Sequence, residues 1–100
     1  MVLKVRLYRR ARSDLIEIRN YLMREAGSVA AERVRSHLQQ RLLMLGRQPL
    51  MGTPTTNPNI RILSPARYPY RIYFTVTPST VYILHVGHTS RQDVDPDELI

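Results

Sequence analysis

The stretch YPYRIYFTVTPSTVYILHVGH, Tyr68 to His88, decides the fold, because it reads as two strands joined by a tight turn and holds most of the aromatic side chains. From Tyr68 to Thr77 the residues alternate. Tyr68, Tyr70, Ile72, Phe74 and Val76 point one way, and Pro69, Arg71, Tyr73, Thr75 and Thr77 the other. That period of two marks a half-buried strand. At Thr77–Thr80 the proline falls where a type I turn takes its preset φ. Val81, Tyr82, Ile83, Leu84 and Val86 then resume with apolar residues on both faces, which predicts a central strand covered on both sides.

Upstream, Ile60 to Leu63 predicts a short strand with Arg61 as its exposed member, and Pro65, Ala66 and Arg67 turn the chain into the hairpin. Gln48 to Asn59, with Pro49, Gly52, Pro54 and Pro58, reads as a loop. Before it the period is helical. Ala11, Leu15, Ile18, Leu22 and Ala26 form one apolar stripe, and Ala31, Val34, Leu38, Leu42 and Leu45 form a second. Gly27 separates the stripes as a C-cap and Ser28 is expected to be the N-cap of the second helix. A linker this short folds the helices into an antiparallel hairpin. At the start, Leu3, Val5 and Leu7 alternate with Lys4, Arg6 and Tyr8, a first strand with one basic face; its pairing partner is not encoded locally.

The order is therefore β-α-α-β-β-β, an α+β fold in a single domain over residues 1–100. Two antiparallel helices return the chain to its start, so both are expected on one face of a small, mainly antiparallel sheet. The other face then presents Lys4, Arg6, Tyr8, Arg71, Tyr73, Thr75 and Arg61. Fifteen Lys plus Arg stand against eight Asp plus Glu, for a net charge of +7. All the cations but Lys4 are arginine, the side chain suited to forked contacts with phosphate or carboxylate. An anionic partner is expected, either nucleic acid or an acidic protein segment.

The absence of cysteine excludes disulfides and thiolate metal sites. His85 and His88, three apart on a strand, point to opposite faces, which is poor geometry for one metal ion. No metal or cofactor is expected. No Gly-rich phosphate loop or carboxylate pair is present, and Asp93, Asp95, Asp97 and Glu98 read as a solvated tail. No apolar run approaches a membrane span, and MVLKVRLYRR lacks a signal core, so the expectation is a cytoplasmic protein.

Over most of its length the sequence resembles the RelE/ParE superfamily of toxins from type II toxin–antitoxin (plasmid stabilisation) modules. The resemblance rests on Ala11, Asp14, Leu15, Ile18 and Tyr21, on Leu45, Pro49, Gly52 and Arg61, on Tyr70 to Phe74, and on Leu84, Val86, His88 and Arg91. It implies one of two activities. RelE-like members cleave messenger RNA on the ribosome, and Arg61, Arg71, His88 and Arg91 would be the catalytic set. ParE-like members inhibit DNA gyrase without that set. Here Thr89 follows His88 where one ribonuclease branch has tyrosine, the loop after Gly46 has no carboxylate, and no lysine follows Lys4. These departures point to the ParE-like branch and to no catalytic residues.

The resemblance also implies a cognate antitoxin whose acidic, poorly ordered C-terminal segment wraps the helical hairpin and the basic face. Lys4, Arg6, Arg61, Arg67, Arg71, Tyr73, His88 and Arg91 are the candidates for contacting target or antitoxin. The alternatives are a RelE-like messenger RNA endonuclease and a harmless basic nucleic-acid-binding module.

Overall fold

The protein, seen in a computed structural model, is described over residues 2–64 and 66–100, so the turn expected at Pro65 lies partly outside the described residues. The elements follow the expected order. They are β1 (Lys4–Leu7), α1 (Arg9–Glu25), α2 (Ser28–Arg47), β2 (Thr53–Pro54), β3 (Arg61–Leu63), β4 (Tyr70–Val76), β5 (Thr80–His88) and a closing 3-10 turn (Pro96–Leu99).

The sheet runs β1-β5-β4-β3-β2. β5 pairs antiparallel with β4 on one side and parallel with β1 on the other, and its sequence is apolar on both faces because the helices cover one and a second cluster covers the other. The loop expected between α2 and β3 contributes the fifth strand, the two-residue β2, antiparallel to β3. Gly52 permits this. Its φ is 82°, and a Cβ there would collide with the Ile62 carbonyl oxygen.

Both helices lie on one face. The apolar stripe of α1 and α2 (Ala11, Val34, Leu38, Leu42, Leu45) packs on Leu63, Tyr70, Ile72, Phe74, Val81, Ile83 and Val86 of the sheet, with Leu3 and the β1 residues Val5 and Leu7 at its margin. α2 also approaches β1 closely, with the Leu3 N–H donating to the Gly46 carbonyl at 2.7 Å. The hairpin turns at Ala26 and Gly27, but Ser28 is already the first helical residue. Gly27, at φ 90°, is the N-cap and no side chain caps α2.

The opposite face departs from expectation. Tyr73 does point away from the helices, yet it is only 2 % exposed, in a second apolar cluster with Ile60, Leu84 and Leu99. Ile62, Tyr82 and Val94 flank that cluster. The acidic C-terminal segment is therefore a strap, not a solvated tail. Leu99 and Val94 contact the sheet, Asp95 caps the closing 3-10 turn through the Asp97 N–H, and Asn57 donates to Asp97 at 2.9 Å. Apolar burial of Leu99 outweighs the charge of its neighbours, which remain exposed to water. The β1 flank of this face remains open and basic, with Lys4, Arg6 and Tyr8 exposed and Tyr8 tilted against Tyr82 at 5.7 Å.

Candidate functional site

β1 pairs with β5 no further than Ile83, whose carbonyl accepts the Tyr8 N–H at 2.9 Å, and the chain then turns into α1. From there to His88 the edge of β5 has no strand beside it, so a buried backbone donor on it needs another acceptor. Asp14, in the second turn of α1, supplies one: its Oδ2 accepts from the Val86 N–H at 3.0 Å and meets His85 Nδ1 at 2.6 Å. Both side chains are largely shielded, at 14 % and 11 % exposure. An ionised carboxylate can only accept, so His85 Nδ1 carries the hydrogen and Nε2 is left to face Gly87. A Cβ on Gly87 would come within 2.8 Å of that nitrogen, so the glycine makes room for the ring.

The facing of β5 depends on an irregularity. Tyr73 pairs with His85 and Phe74 with Ile83, leaving Leu84 as an extra residue opposite the step between them. Such a bulge re-aims the side chains that follow it. Val81 and Ile83 face the helices, as does Val86 beyond the bulge, while Leu84 drops into the second cluster and the His85 ring tilts against Tyr73 at 5.3 Å.

Beside His85 is a small cavity of about 130 Å³. Arg10 from α1, Arg71 from β4 and Arg91 beyond β5 line it, together with His88 and Asp93. Arg71 Nη1 donates to Asp93 Oδ1 at 2.6 Å. His88 Nδ1 accepts from the Ser90 N–H at 3.0 Å, and its ring stands edge-on to Tyr70 at 5.3 Å. Burial first, then the neighbouring Tyr21, hold the Tyr70 hydroxyl above its ordinary pKa against the opposing pull of Arg91. Tyr70 is thus a neutral phenol at physiological pH.

The residues anticipated from sequence divide into three groups. Arg71, His88 and Arg91 come together at this cavity, and Tyr73 forms part of its wall. Lys4 and Arg6 lie on the open flank of the sheet, and Arg67 lies over the Tyr68 ring at 5.6 Å. Arg61 does not belong to the open face. It pairs with Phe74 on the helix side, and its guanidinium donates to the carbonyls of Leu50 and Gly52 at 2.9 and 3.0 Å, holding the loop after α2. Asp14, His85 and Arg10 were not anticipated as a group. The one legible signal was a carboxylate near the start of α1 and a histidine inside an otherwise apolar strand. Among the described residues no cluster of three metal-ligating side chains occurs, and no helix is long and apolar enough to cross a membrane.

In structure the chain is similar to a solved chromosomal ParDE toxin–antitoxin system from P. aeruginosa, with a TM-score of 0.78 and 21% identity, covering 87% of this chain and 96% of that one. It is also similar to the RelBE2 toxin–antitoxin complex from Mycobacterium tuberculosis, with a TM-score of 0.68 and 23% identity, covering 91% and 95%. At these identities the likeness concerns the fold. No curated protein matches the sequence. The family model described as the ParE toxin of the type II toxin–antitoxin system parDE matches residues 5–93, nearly the whole chain. With that match over the same elements that build the sheet, the hairpin and the cavity, the chain belongs to the ParE toxin family of type II toxin–antitoxin systems.

Proposed function

We propose that this chain is the toxin of such a module, that it inhibits DNA gyrase by binding rather than by catalysis, and that an acidic antitoxin segment neutralises it. The observation that carries this reading is the separation of Arg61 from the other residues a ribonuclease would use. Arg61 is bound to loop carbonyls on the helix side, Tyr73 is buried, and Arg71 is paired with Asp93. Of the four residues a messenger RNA nuclease would need, Arg71, His88 and Arg91 meet, while Arg61 is held apart on the helix side.

The antitoxin part has its own support. Between the outer sides of α1 and α2 runs a groove of about 440 Å³ floored by Leu15, Ile18, Leu22, Leu38 and Leu42 and rimmed by Arg12, Arg19 and Arg35. Ile16, Met23 and Val29 are exposed nearby. An apolar groove edged with cations suits an amphipathic acidic segment, and the net charge of +7 speeds its encounter. Both solved relatives are toxin–antitoxin complexes.

The test is supercoiling of relaxed plasmid by purified gyrase. Addition of the chain should lower it, and an equimolar acidic antitoxin should restore it. Unchanged supercoiling at saturating protein rejects the gyrase target, and codon-positioned cuts on translating ribosomes in a parallel reaction would replace it with the ribonuclease reading.

A further inference from the structure

The C-terminal strap covers the sheet over Tyr73 and Leu84 but leaves the β1 flank bare. Val5 and Leu7 turn toward the helices, so Lys4, Arg6 and Tyr8 project from the other face, and all three are exposed. Arg6 lies opposite Tyr82 on β5, and Tyr82 opposite Thr75 on β4, so a cation, a phenol and a hydroxyl form one row across three strands. Tyr82 packs on the second cluster and also meets Tyr8, the two rings inclined at 56° with their centroids 5.7 Å apart.

No carboxylate belongs to β1 or to the facing residues Thr80 to Ile83. α1 then opens at Arg9 with no acid in its first turn, although the helix dipole favours acids there. Positive charge is therefore concentrated along this edge of the protein rather than balanced in place.

Two features select the kind of anion. Same-face residues on a strand recur every ~6.6 Å, so Lys4 and Arg6 are spaced to meet successive phosphates of one chain. Beside them Tyr8 offers a phenol face on which a base can stack. An acidic peptide satisfies the cations but brings no planar group for the phenol, and in a duplex the bases are already stacked on one another.

We infer that the β1 flank is a binding surface for a single nucleic-acid strand, with Lys4 and Arg6 on its phosphates and Tyr8 stacked on a base. The surface shares no residue with the cavity beside His85, and the inference does not depend on which target the toxin has. Phosphates and base faces are common to DNA and RNA, so strands of either kind bind alike.

Anisotropy of a short fluorescein-labelled oligodeoxythymidylate, titrated with the full-length chain over a range of salt, reads both contacts. Arg6→Gln should flatten the slope of log K against log salt by about 0.7, the value for one phosphate of a single strand. Tyr8→Leu should weaken binding about tenfold, while Tyr8→Phe, which keeps the ring, should stay within about twofold of the wild type. Arg24→Gln removes the same charge from an exposed site in the last turn of α1; as the control, it should change neither slope nor affinity. The replaced side chains are exposed, and an unchanged far-ultraviolet spectrum confirms that the variants fold. Equal losses from Arg6→Gln and Arg24→Gln would mean that the oligonucleotide senses only the net charge of +7, and would overturn the proposal. So would a Tyr8→Leu variant that binds as tightly as the wild type. Polyglutamate that competes as well as unlabelled oligonucleotide of equal charge would overturn it too, making the flank an acidic-protein site.

Discussion

Replacing Asp14 by alanine tests the claim that one carboxylate substitutes for the missing neighbour strand along β5. The Val86 N–H and the His85 Nδ1–H both depend on Oδ2, at 3.0 and 2.6 Å, in surroundings that shield the pair from water. A buried donor left without an acceptor costs about 1–3 kcal/mol. Two such donors imply a loss of roughly 2–5 kcal/mol, a large part of the about 5–15 kcal/mol that keeps a domain folded. For a chain of this length that lowers the melting midpoint by on the order of 10–20 °C. Urea titration measures it, with the slope checked for constancy so that a changed midpoint reports stability alone. Asp14→Asn keeps one acceptor and should recover about half of the loss. In a His85→Ala background, Asp14→Ala should cost about 1–2 kcal/mol less, since one dependent donor is already gone. A loss under about 0.5 kcal/mol, or an identical loss with and without His85, refutes the reasoning.

Two further outcomes follow from the fold. Leu99→Ala should destabilise the protein by about 2 kcal/mol, the low end for a buried leucine, since Leu99 is 7 % exposed in the second cluster. A change within about 0.5 kcal/mol in thermal unfolding would instead mean that the strap is an ordinary tail. His37 should lower stability as pH falls. Burial, then Arg41 and Arg67, depress its folded pKa below the ordinary 6.5. The unfolded chain therefore binds the proton more readily, and stability declines as pH drops through the unfolded value toward the folded one. His37→Gln should flatten the stability–pH curve in that window relative to wild type, and superimposable curves for the two proteins would contradict it.

How far the sequence could be read depended on how local each signal is. The two helical stripes, the hairpin and the one-sided placement of the helices were legible because each is written in neighbouring residues with a period of its own. The alternation in β4 assigned Tyr73 to the correct face, but parity cannot say what covers a face. The cover comes from Leu99 and Val94, more than twenty residues on and hidden among aspartates. Arg61 was misplaced for a related reason: in a three-residue strand the exposed position is ambiguous, and the loop carbonyls that capture it are remote in sequence. The parallel pairing of β1 with β5 leaves no local trace at all. Asp14 enters the sequence reading only through the family resemblance, because the unmet donor it serves exists only once β1 has stopped short along β5.

That pairing sets an order of assembly. Lys4 sits opposite Thr80 and Leu7 opposite Ile83, so β1 has no lateral neighbour until β5, far along the chain, has been made. Contacts so distant along the chain form late and slowly. A nascent polypeptide stopped before Thr80 can wind its helices, but their apolar side faces water and invites chaperones or proteases. Assembly therefore waits on β5: until that strand emerges, β1 has nothing to lie beside and the sheet cannot close.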